Sequence, residues 1–169
     1  MSAAVPETKY GKYFFEYDAK RWPNERRPVI ARIEDSVVKG SYFYLVHWML
    51  PNTNTPFNFP MSGHPPHIHK YPEILFHIGT DPNNPMDLGA EVEIYMGREL
   101  ERHVFNRSTV IFIPPGMIHA PWRPVTTTRP WIFIEINQGP EHTEKLFKQV
   151  LPKEVREKID WSRWKEEGY

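Results

Sequence analysis

The chain has 169 residues, with 21 basic and 21 acidic side chains and no cysteine. The length fits one domain with a buried core, and the balanced charge provides no attraction to nucleic acid or anionic lipid. The missing cysteine excludes disulfides, thiolate ligands and cysteine nucleophiles. No apolar run is long enough for a signal peptide or a membrane span, which predicts a cytoplasmic protein with no membrane partner.

The first part of the chain is predicted to be a polar extension with edge strands, residues 1–39. Its strand character runs from Val29 to Val38, and its Tyr13-Phe14-Phe15 cluster is expected to pack against the body. A stronger strand follows over Ser41–Leu50, because aromatic and β-branched residues dominate it. Five prolines within residues 51–66 predict a loop.

The middle of the chain contains further short strands with turn signals between them. They are Glu73–Ile78, Glu91–Met96, Leu100–Phe105, Thr109–Ile113 and Trp131–Asn137. Gly97-Arg98 is expected to join the second and third of these in a hairpin. Short strands at this spacing favour a sandwich or a barrel over residues 40–137.

The tail, residues 138–169, has a different pattern. Apolar side chains with helical spacing predict a helix there: Leu146, Phe147, Val150 and Leu151. Pro152 is expected to end this helix and to begin a second one. Both helices are expected to pack against the outside of the barrel.

Three histidines and one carboxylate are the most informative feature of the sequence. His67 and His69 are two residues apart, so both side chains point to one face of an extended backbone, and Glu73 keeps that parity. His119 must arrive from a distant strand, which a closed barrel brings to the same interior. Imidazoles and a carboxylate suit one divalent transition-metal ion, with iron, manganese, nickel, copper and zinc all open. A free coordination position would make such a site catalytic.

These residues resemble the two motifs of the cupin superfamily. The first motif is matched by Gly63, His67, His69, Glu73 and Gly79, and the second by Pro114, Gly116 and His119. Gly63 lies closer to the first histidine than is usual, and Gly79 is one residue early. Ser108 stands where a glycine is usual and Arg123 where an asparagine often is, but neither change removes a ligand.

The resemblance covers roughly residues 40–137 and implies an all-β fold. The implied architecture is a single cupin-type double-stranded β-helix, or jelly-roll, barrel, here followed by C-terminal α-helices. It also implies a metal site formed by the four ligand candidates and a homodimer, in which exposed strand edges pair.

The remaining histidines are interpreted from their strand parity. His77 shares the parity of Glu73, so it is a candidate for a partner of the ligands or a proton carrier, and equally for a core histidine. His64 is expected to be a solvated residue of the loop before the ligands. His47 alternates with apolar residues of its strand, which indicates packing more than catalysis.

Aromatic strand faces and one arginine supply candidates for substrate binding. Tyr44 and Trp48 lie on one face of their strand, and Phe133 on a face of another, so they are candidates for the wall of an apolar pocket. Arg123 is the candidate for binding a substrate carboxylate.

The predicted function is that of a metal-dependent enzyme acting on a small molecule, and an oxygenase is the first choice. A metal-dependent isomerase or lyase needs the same site without redox chemistry. A non-catalytic metal-binding or small-molecule-binding protein, a sensor or carrier, is the third hypothesis. The sequence has no serine-hydrolase elbow, phosphate-binding glycine-rich loop or dinucleotide fingerprint.

Overall fold

The computed structural model describes residues 8–18, 27–51 and 64–169. In these ranges the strands are β1 (Val29–Ile33), β2 (Phe43–Met49), β3 (His67–Ile68), β4 (Glu73–Gly79), β5 (Asp87–Met96), β6 (Glu101–Arg107), β7 (Thr109–Ile113), β8 (His119–Thr127), β9 (Trp131–Asn137) and β10 (Lys145–Leu146). The helical segments are α1 (Lys153–Arg156) and 3₁₀ turns at Gly11–Tyr13, Lys148–Val150 and Trp161–Arg163. Among the described residues, no helix has the length and apolar character that crossing a membrane requires.

The strands form two five-stranded antiparallel sheets. The first sheet has the order β1-β2-β9-β4-β7, and the second has the order β10-β3-β8-β5-β6. From β3 onward the chain passes repeatedly from one sheet to the other, so it winds around a common interior. This arrangement confirms the predicted cupin-type double-stranded β-helix.

The apolar core fills one part of the space between the sheets. The first sheet contributes Met49, Leu75, Ile113, Trp131 and Phe133, and the second contributes Leu88, Ala90, Val92 and Ile94. A fully buried valine, leucine, isoleucine, methionine or phenylalanine side chain stabilises the fold by about 1.5–3 kcal/mol. Strand β4 begins at Glu73, among polar side chains, and ends at Gly79, where an added Cβ would collide with the carbonyl of Asp87.

Strand β8 is the main element that the sequence analysis did not predict. Pro121 and Pro124 lie inside it and argue against a strand, since proline removes a ladder hydrogen bond. The pairing of β8 with β5 is irregular, with register shifts at Glu91/Val92 and Ile94/Met96. Such irregularities accommodate the prolines within the sheet.

The predicted first helix of the tail is wrong. Leu146 belongs to β10, which pairs with β3, and residues 148–150 form only a 3₁₀ turn. The apolar stripe instead supplies the buried side chains of Leu146 and Leu151. Pro152 does precede a helix, but α1 is a single four-residue segment, so the predicted C-terminal helices reduce to one.

The N-terminal extension also differs from its prediction where it is described. Tyr13 and Phe14 are 65% and 70% exposed and Phe15 is 48% exposed, so the expected packing of this cluster is wrong. Tyr17 is the aromatic residue that packs, against the small cluster around Phe43. The predicted loop over residues 51–66 lies mostly outside the described residues, as does Gly63 of the first motif.

Candidate metal centre and its cavity

Backbone pairing brings the four ligand candidates together. His67 on β3 is directly opposite His119, the first residue of β8. The turn before His119 contains Gly116 at a φ of +73°, a conformation that favours glycine. The amide of Gly116 donates a 3.0 Å hydrogen bond to the carbonyl of His69, so the two sequence motifs are tied to each other. Glu73 opens β4 beside them.

The three imidazoles lie close enough together to share one ion, and Glu73 lies beside two of them. All four are buried: His67, His69, Glu73 and His119. The ring centroids of the three histidines lie 4.1 to 5.0 Å apart. The two Glu73 oxygens lie 3.4 Å from Nε2 of His69 and 3.1 Å from Nε2 of His119.

Each of the three imidazoles is oriented by a backbone carbonyl. The acceptors are the carbonyls of Pro65 for His67, of Thr143 for His69 and of Met117 for His119. A carbonyl only accepts, so Nδ1 carries a proton in each ring, which leaves Nε2 as the atom that can bind a cation. Nε2 of His69 and of His119 is buried and has no hydrogen bond of acceptable geometry. This arrangement fits metal ligands, whose other ring nitrogen is held by a hydrogen bond.

Further polar side chains surround these ligands. Asn137 donates to Oε1 of Glu73 at 3.1 Å, which fixes the carboxylate. Nδ1 of His64 lies 3.2 Å from Nδ1 of His67, and Nε2 of His64 lies 3.1 Å from Oε2 of the buried Glu144. His64 is therefore a partner of a ligand candidate and not the solvated loop residue that the sequence analysis expects.

The protein without a metal ion balances the charges of this cluster with protons. Burial would raise the pKa of Glu73, but His119 and His69 hold it well below its usual range. Burial would lower the pKa of His69, but Glu73 outweighs that effect and raises the pKa to about 9. Burial and the neighbouring histidines lower the pKa of His67. A metal cation would displace the proton that His69 and Glu73 stabilise, so metal affinity should rise with pH.

A cavity of about 960 Å³ opens onto the four ligand candidates. Its apolar lining includes Phe43, Leu45, Met49, Leu75, Ile94 and Phe133. Arg27 also lines it, with the guanidinium 5.5 Å from the ring centre of Trp122. Near the ligands, Glu135 faces the cavity, and burial together with the charge of Glu73 raises the pKa of Glu135 to about 7.

The C-terminal tail forms part of the cavity wall. Trp164 lines the cavity, and its ring centroid lies 4.6 Å from that of His64. Thr143 supplies the carbonyl that orients His69, and its hydroxyl accepts from the amide of Lys70 at 2.9 Å. The tail therefore contributes to the site, whereas the sequence analysis expects it only on the outside of the barrel.

The structure reverses the predicted parity of β2. Residues Phe43, Leu45 and His47 face the cavity, whereas Tyr44 and Trp48 point away from it. The prediction that Tyr44 and Trp48 wall a substrate pocket is therefore not what the structure shows. Phe133 does line the cavity, as its prediction requires.

Arg123 is buried in an ion pair on the far side of the second sheet. Its Nε lies 2.5 Å from Oε1 of Glu93, and Arg102 binds the other oxygen of Glu93 at 2.8 Å. The cavity lining does not include Arg123. The arginines that do line the cavity are Arg27, Arg32 and Arg163, none of which is a candidate from the sequence.

His77 lies in the apolar core and outside the cavity lining. Its Nε2 accepts a 2.9 Å hydrogen bond from Nε1 of Trp122, and its ring contacts Phe105 and Trp131. Burial lowers the pKa of His77 to about 3, so the imidazole is neutral at physiological pH. Of the two roles open from the sequence, the structure places His77 as a core histidine.

No protein-family model matches the chain, and no curated relative matches it. Solved structures resemble its fold. An oxalate oxidase in complex with the substrate analogue glycolate is 16% identical at a TM-score of 0.47, over 85% of this chain and 69% of that one. An oxalate decarboxylase–formate complex from Lactobacillus farciminis is 14% identical at a TM-score of 0.47, over 83% of this chain.

A protein from Klebsiella pneumoniae with a double-stranded β-helix domain is 13% identical at a TM-score of 0.44, over 77% of this chain and 88% of that one. The chain spans only 36% of the length of the oxalate decarboxylase. These likenesses concern the fold and carry no argument about activity.

Proposed function

We propose that this chain is a metal-dependent enzyme that acts on a small molecule, with an oxygenase as the first choice of reaction. One observation carries the proposal. Three neighbouring imidazoles are each oriented through Nδ1 by a backbone carbonyl, and Nε2 of His69 and of His119 lies beside Glu73, at the wall of a cavity of about 960 Å³. A cavity of this size holds a small organic molecule within reach of an ion at that point. The lack of cysteine fits action in the cytoplasm.

In this proposal His67, His69, Glu73 and His119 hold one divalent transition-metal ion. The ion would supply Lewis acidity or redox chemistry. Asn137 keeps the Glu73 carboxylate in place, and the three carbonyls keep the imidazoles in the tautomer that binds a cation.

The rest of the cavity binds and orients the molecule. Its apolar side chains exclude water and pack against a hydrocarbon or aromatic body. The guanidinium of Arg27 is a fixed positive charge beside Trp122 and suits an anionic group such as a carboxylate. An Arg27→Gln variant should therefore weaken the binding of an aromatic carboxylate more than that of the corresponding neutral alcohol.

A metal-dependent isomerase or lyase is the second candidate, and Glu135 favours it. Its pKa of about 7 suits a group that accepts or donates a proton at neutral pH, and its carboxylate faces the cavity. Proton transfer alone would suffice for such a reaction, without an oxidant. A non-catalytic binding protein would use the same cavity and show no turnover.

The experiment that separates these candidates compares metals and dioxygen on the full chain. The protein is loaded separately with iron, manganese and zinc and assayed against aromatic and aliphatic carboxylates and phenols, with and without dioxygen. Oxygen uptake confined to the redox-active metals supports the oxygenase. Turnover without dioxygen that persists with zinc supports the isomerase or lyase. Saturable binding without turnover under every condition contradicts both enzyme proposals.

A further inference from the structure

Residues 160–169 lie across the cavity on the side of the ligand candidates, and they are called here the strap. Five of its side chains line the cavity: Asp160, Arg163, Trp164, Lys165 and Glu167. Trp164 is partly buried, and the other four are exposed to solvent. The barrel strands line the same cavity with buried side chains such as those of Phe43 and Leu45. The strap is therefore a single layer of chain between the cavity and the solvent.

Backbone hydrogen bonds attach the strap to the strands that carry the site. The amide of Glu167 donates to the carbonyl of Glu144 at 2.9 Å, and the amide of Glu144 donates to the carbonyl of Glu167 at 2.8 Å. Glu144 directly precedes β10, and Leu146 of β10 is paired with His67 on β3. The strap is therefore connected, through β10, to the strand of a ligand candidate.

Side-chain contacts on either side of this bridge are few and lie at the surface. Oε1 of Glu166 accepts from the amide of Leu146 at 3.1 Å. Nζ of Lys70 lies 5.0 Å from the ring centre of Tyr169, which is 50% exposed. Contacts at the surface contribute little to stability, and segments with few buried contacts open locally while the rest of the fold stays intact. The strap can therefore detach without unfolding the barrel.

Trp164 is the large aromatic side chain that the strap places in the cavity wall. Its ring centroid lies 4.6 Å from that of His64, and the His64 centroid lies 4.5 Å from that of His67. The three rings form a continuous series of contacts from the strap to a ligand candidate. Trp161 also belongs to the strap but lies outside the cavity lining, where its indole N–H donates to the carbonyl of Arg156 at 2.9 Å.

We propose that Trp164 is a specificity-determining residue: held by the strap, it closes the cavity beside the ligand candidates and limits the size of the molecule that reaches them. This inference rests on the proposed function, because it assigns an entrance to the same cavity. Local opening of the strap admits a narrow molecule more readily than a wide one. Size is the expected criterion and charge is not, since the strap lines the cavity with two acidic and two basic side chains: Asp160, Glu167, Arg163 and Lys165.

The first test measures access to His67 in the metal-free full chain. Diethyl pyrocarbonate acylates imidazoles, and peptide mass spectrometry gives the rate of modification at each histidine. Trp164→Ala should raise the rate at His67 by about tenfold, because it removes the ring that covers this side of the cavity. Trp164→Phe keeps an aromatic ring and should stay within about twofold of the wild-type rate. His103, half exposed on β6, is the internal control and should react equally in every variant.

Two more variants separate the strap from a general loosening of the fold. Trp161→Ala removes a tryptophan of the strap that lies outside the cavity lining, so the rate at His67 should not change. Glu167→Pro removes the amide that donates to Glu144, so it should detach the strap and raise the rate as Trp164→Ala does. Equal rates in the wild-type chain and Trp164→Ala would overturn the proposal, and so would a rise of the same size in Trp161→Ala.

A second test measures the size limit in the full chain loaded with cobalt. The visible absorption of cobalt(II) follows the binding of two probes, imidazole and the larger 4-phenylimidazole. In the wild-type chain 4-phenylimidazole should associate about tenfold more slowly than imidazole, and Trp164→Ala should abolish this difference. Equal association rates in the wild-type chain would overturn the size limit. A chain that binds no cobalt would contradict the proposed function, and the modification rates of the metal-free chain would still decide whether Trp164 closes the cavity.

Discussion

Two groups of buried histidines in this barrel differ in what their ring nitrogens face. His77 is 1% exposed, and its Nε2 accepts a hydrogen bond from Trp122 inside an aromatic cluster. His69 and His119 are each 3% exposed. Their Nε2 atoms lie beside Glu73 and make no hydrogen bond of acceptable geometry. Burial is therefore the same in both groups, and the group that faces Nε2 is what distinguishes a ligand candidate from a packed histidine.

Removing a ligand candidate should have the largest effect. His119→Ala is expected to lose at least a thousandfold in metal affinity, because one of three imidazoles and one neighbour of Glu73 disappear. Isothermal titration with zinc and manganese measures the loss. His103→Ala is the control, since His103 is half exposed on β6 and should bind like the wild-type chain. Equal affinity in His119→Ala would remove His119 from the ligand set.

The opposite outcome is expected for the core histidine. His77→Ala should lower the free energy of unfolding by about 3 kcal/mol, because it leaves a cavity and removes the acceptor of Trp122. Its metal affinity should stay within about twofold of the wild-type value. Chemical denaturation and metal titration of the same preparation check both values. A variant that loses its metal at unchanged stability would show that His77 belongs to the site.

The pKa of His77 predicts a pH dependence of stability. This pKa is about 3 in the folded chain, and about 6.5 when the chain is unfolded. The unfolded state therefore binds more protons between these values, so stability is complete above pH 6.5 and falls as the pH decreases. The expected loss between pH 7.5 and 5 is about 2 kcal/mol.

The matched variant is His77→Phe, which keeps an aromatic ring but has no group that titrates. Denaturation of the metal-free protein at pH 7.5 and at pH 5 gives the change in the free energy of unfolding. In His77→Phe this change should be smaller than in the wild-type chain by about 2 kcal/mol. An unchanged difference would mean that His77 is protonated in the folded chain.

The smallest expected effect concerns the partner of a ligand candidate. His64→Ala removes the contact to Nδ1 of His67, but the carbonyl of Pro65 still accepts at 2.8 Å and keeps the tautomer. Metal affinity should therefore fall by only about tenfold. Glu144→Gln keeps a hydrogen-bond acceptor for His64, so it should lose less metal affinity than His64→Ala in the same titration. A loss as large as that of His119→Ala would place His64 among the ligands.

The ligand candidates can be identified from the sequence because their spacing determines which side of a strand each side chain faces. His67 and His69 share a face, and the turn at Gly116 returns the chain to His119. The partners that orient the ligands were missed, because the carbonyls of Pro65, Thr143 and Met117 belong to backbone that any residue type supplies. No side-chain pattern in the sequence therefore predicts these carbonyl contacts.

The inward side of β2 could not be identified from alternation alone. Both of its faces are apolar or aromatic, with Phe43 and Leu45 on one side and Tyr44 and Trp48 on the other. Hydrophobic parity assigns a face only when the other face is polar. The aromatic outer side of β2 therefore explains why alternation assigns Tyr44 and Trp48 to the cavity.

The secondary structure of the tail could not be predicted for a different reason. Leu146 and Leu151 are buried, but their spacing fits a helix as well as the short strand and turn that form. Strand β10 depends on pairing with β3, almost 80 residues earlier, and such distant partners leave no local signal.

The metal content of the full chain tests the central claim most directly. Protein made without a chelating tag is purified without chelators, reconstituted with a divalent transition metal and measured by elemental analysis beside His67→Ala and His119→Ala. The account predicts about one ion per wild-type chain and loss of that ion in both variants. No bound ion in the reconstituted wild-type chain, or a full complement in both variants, would contradict it.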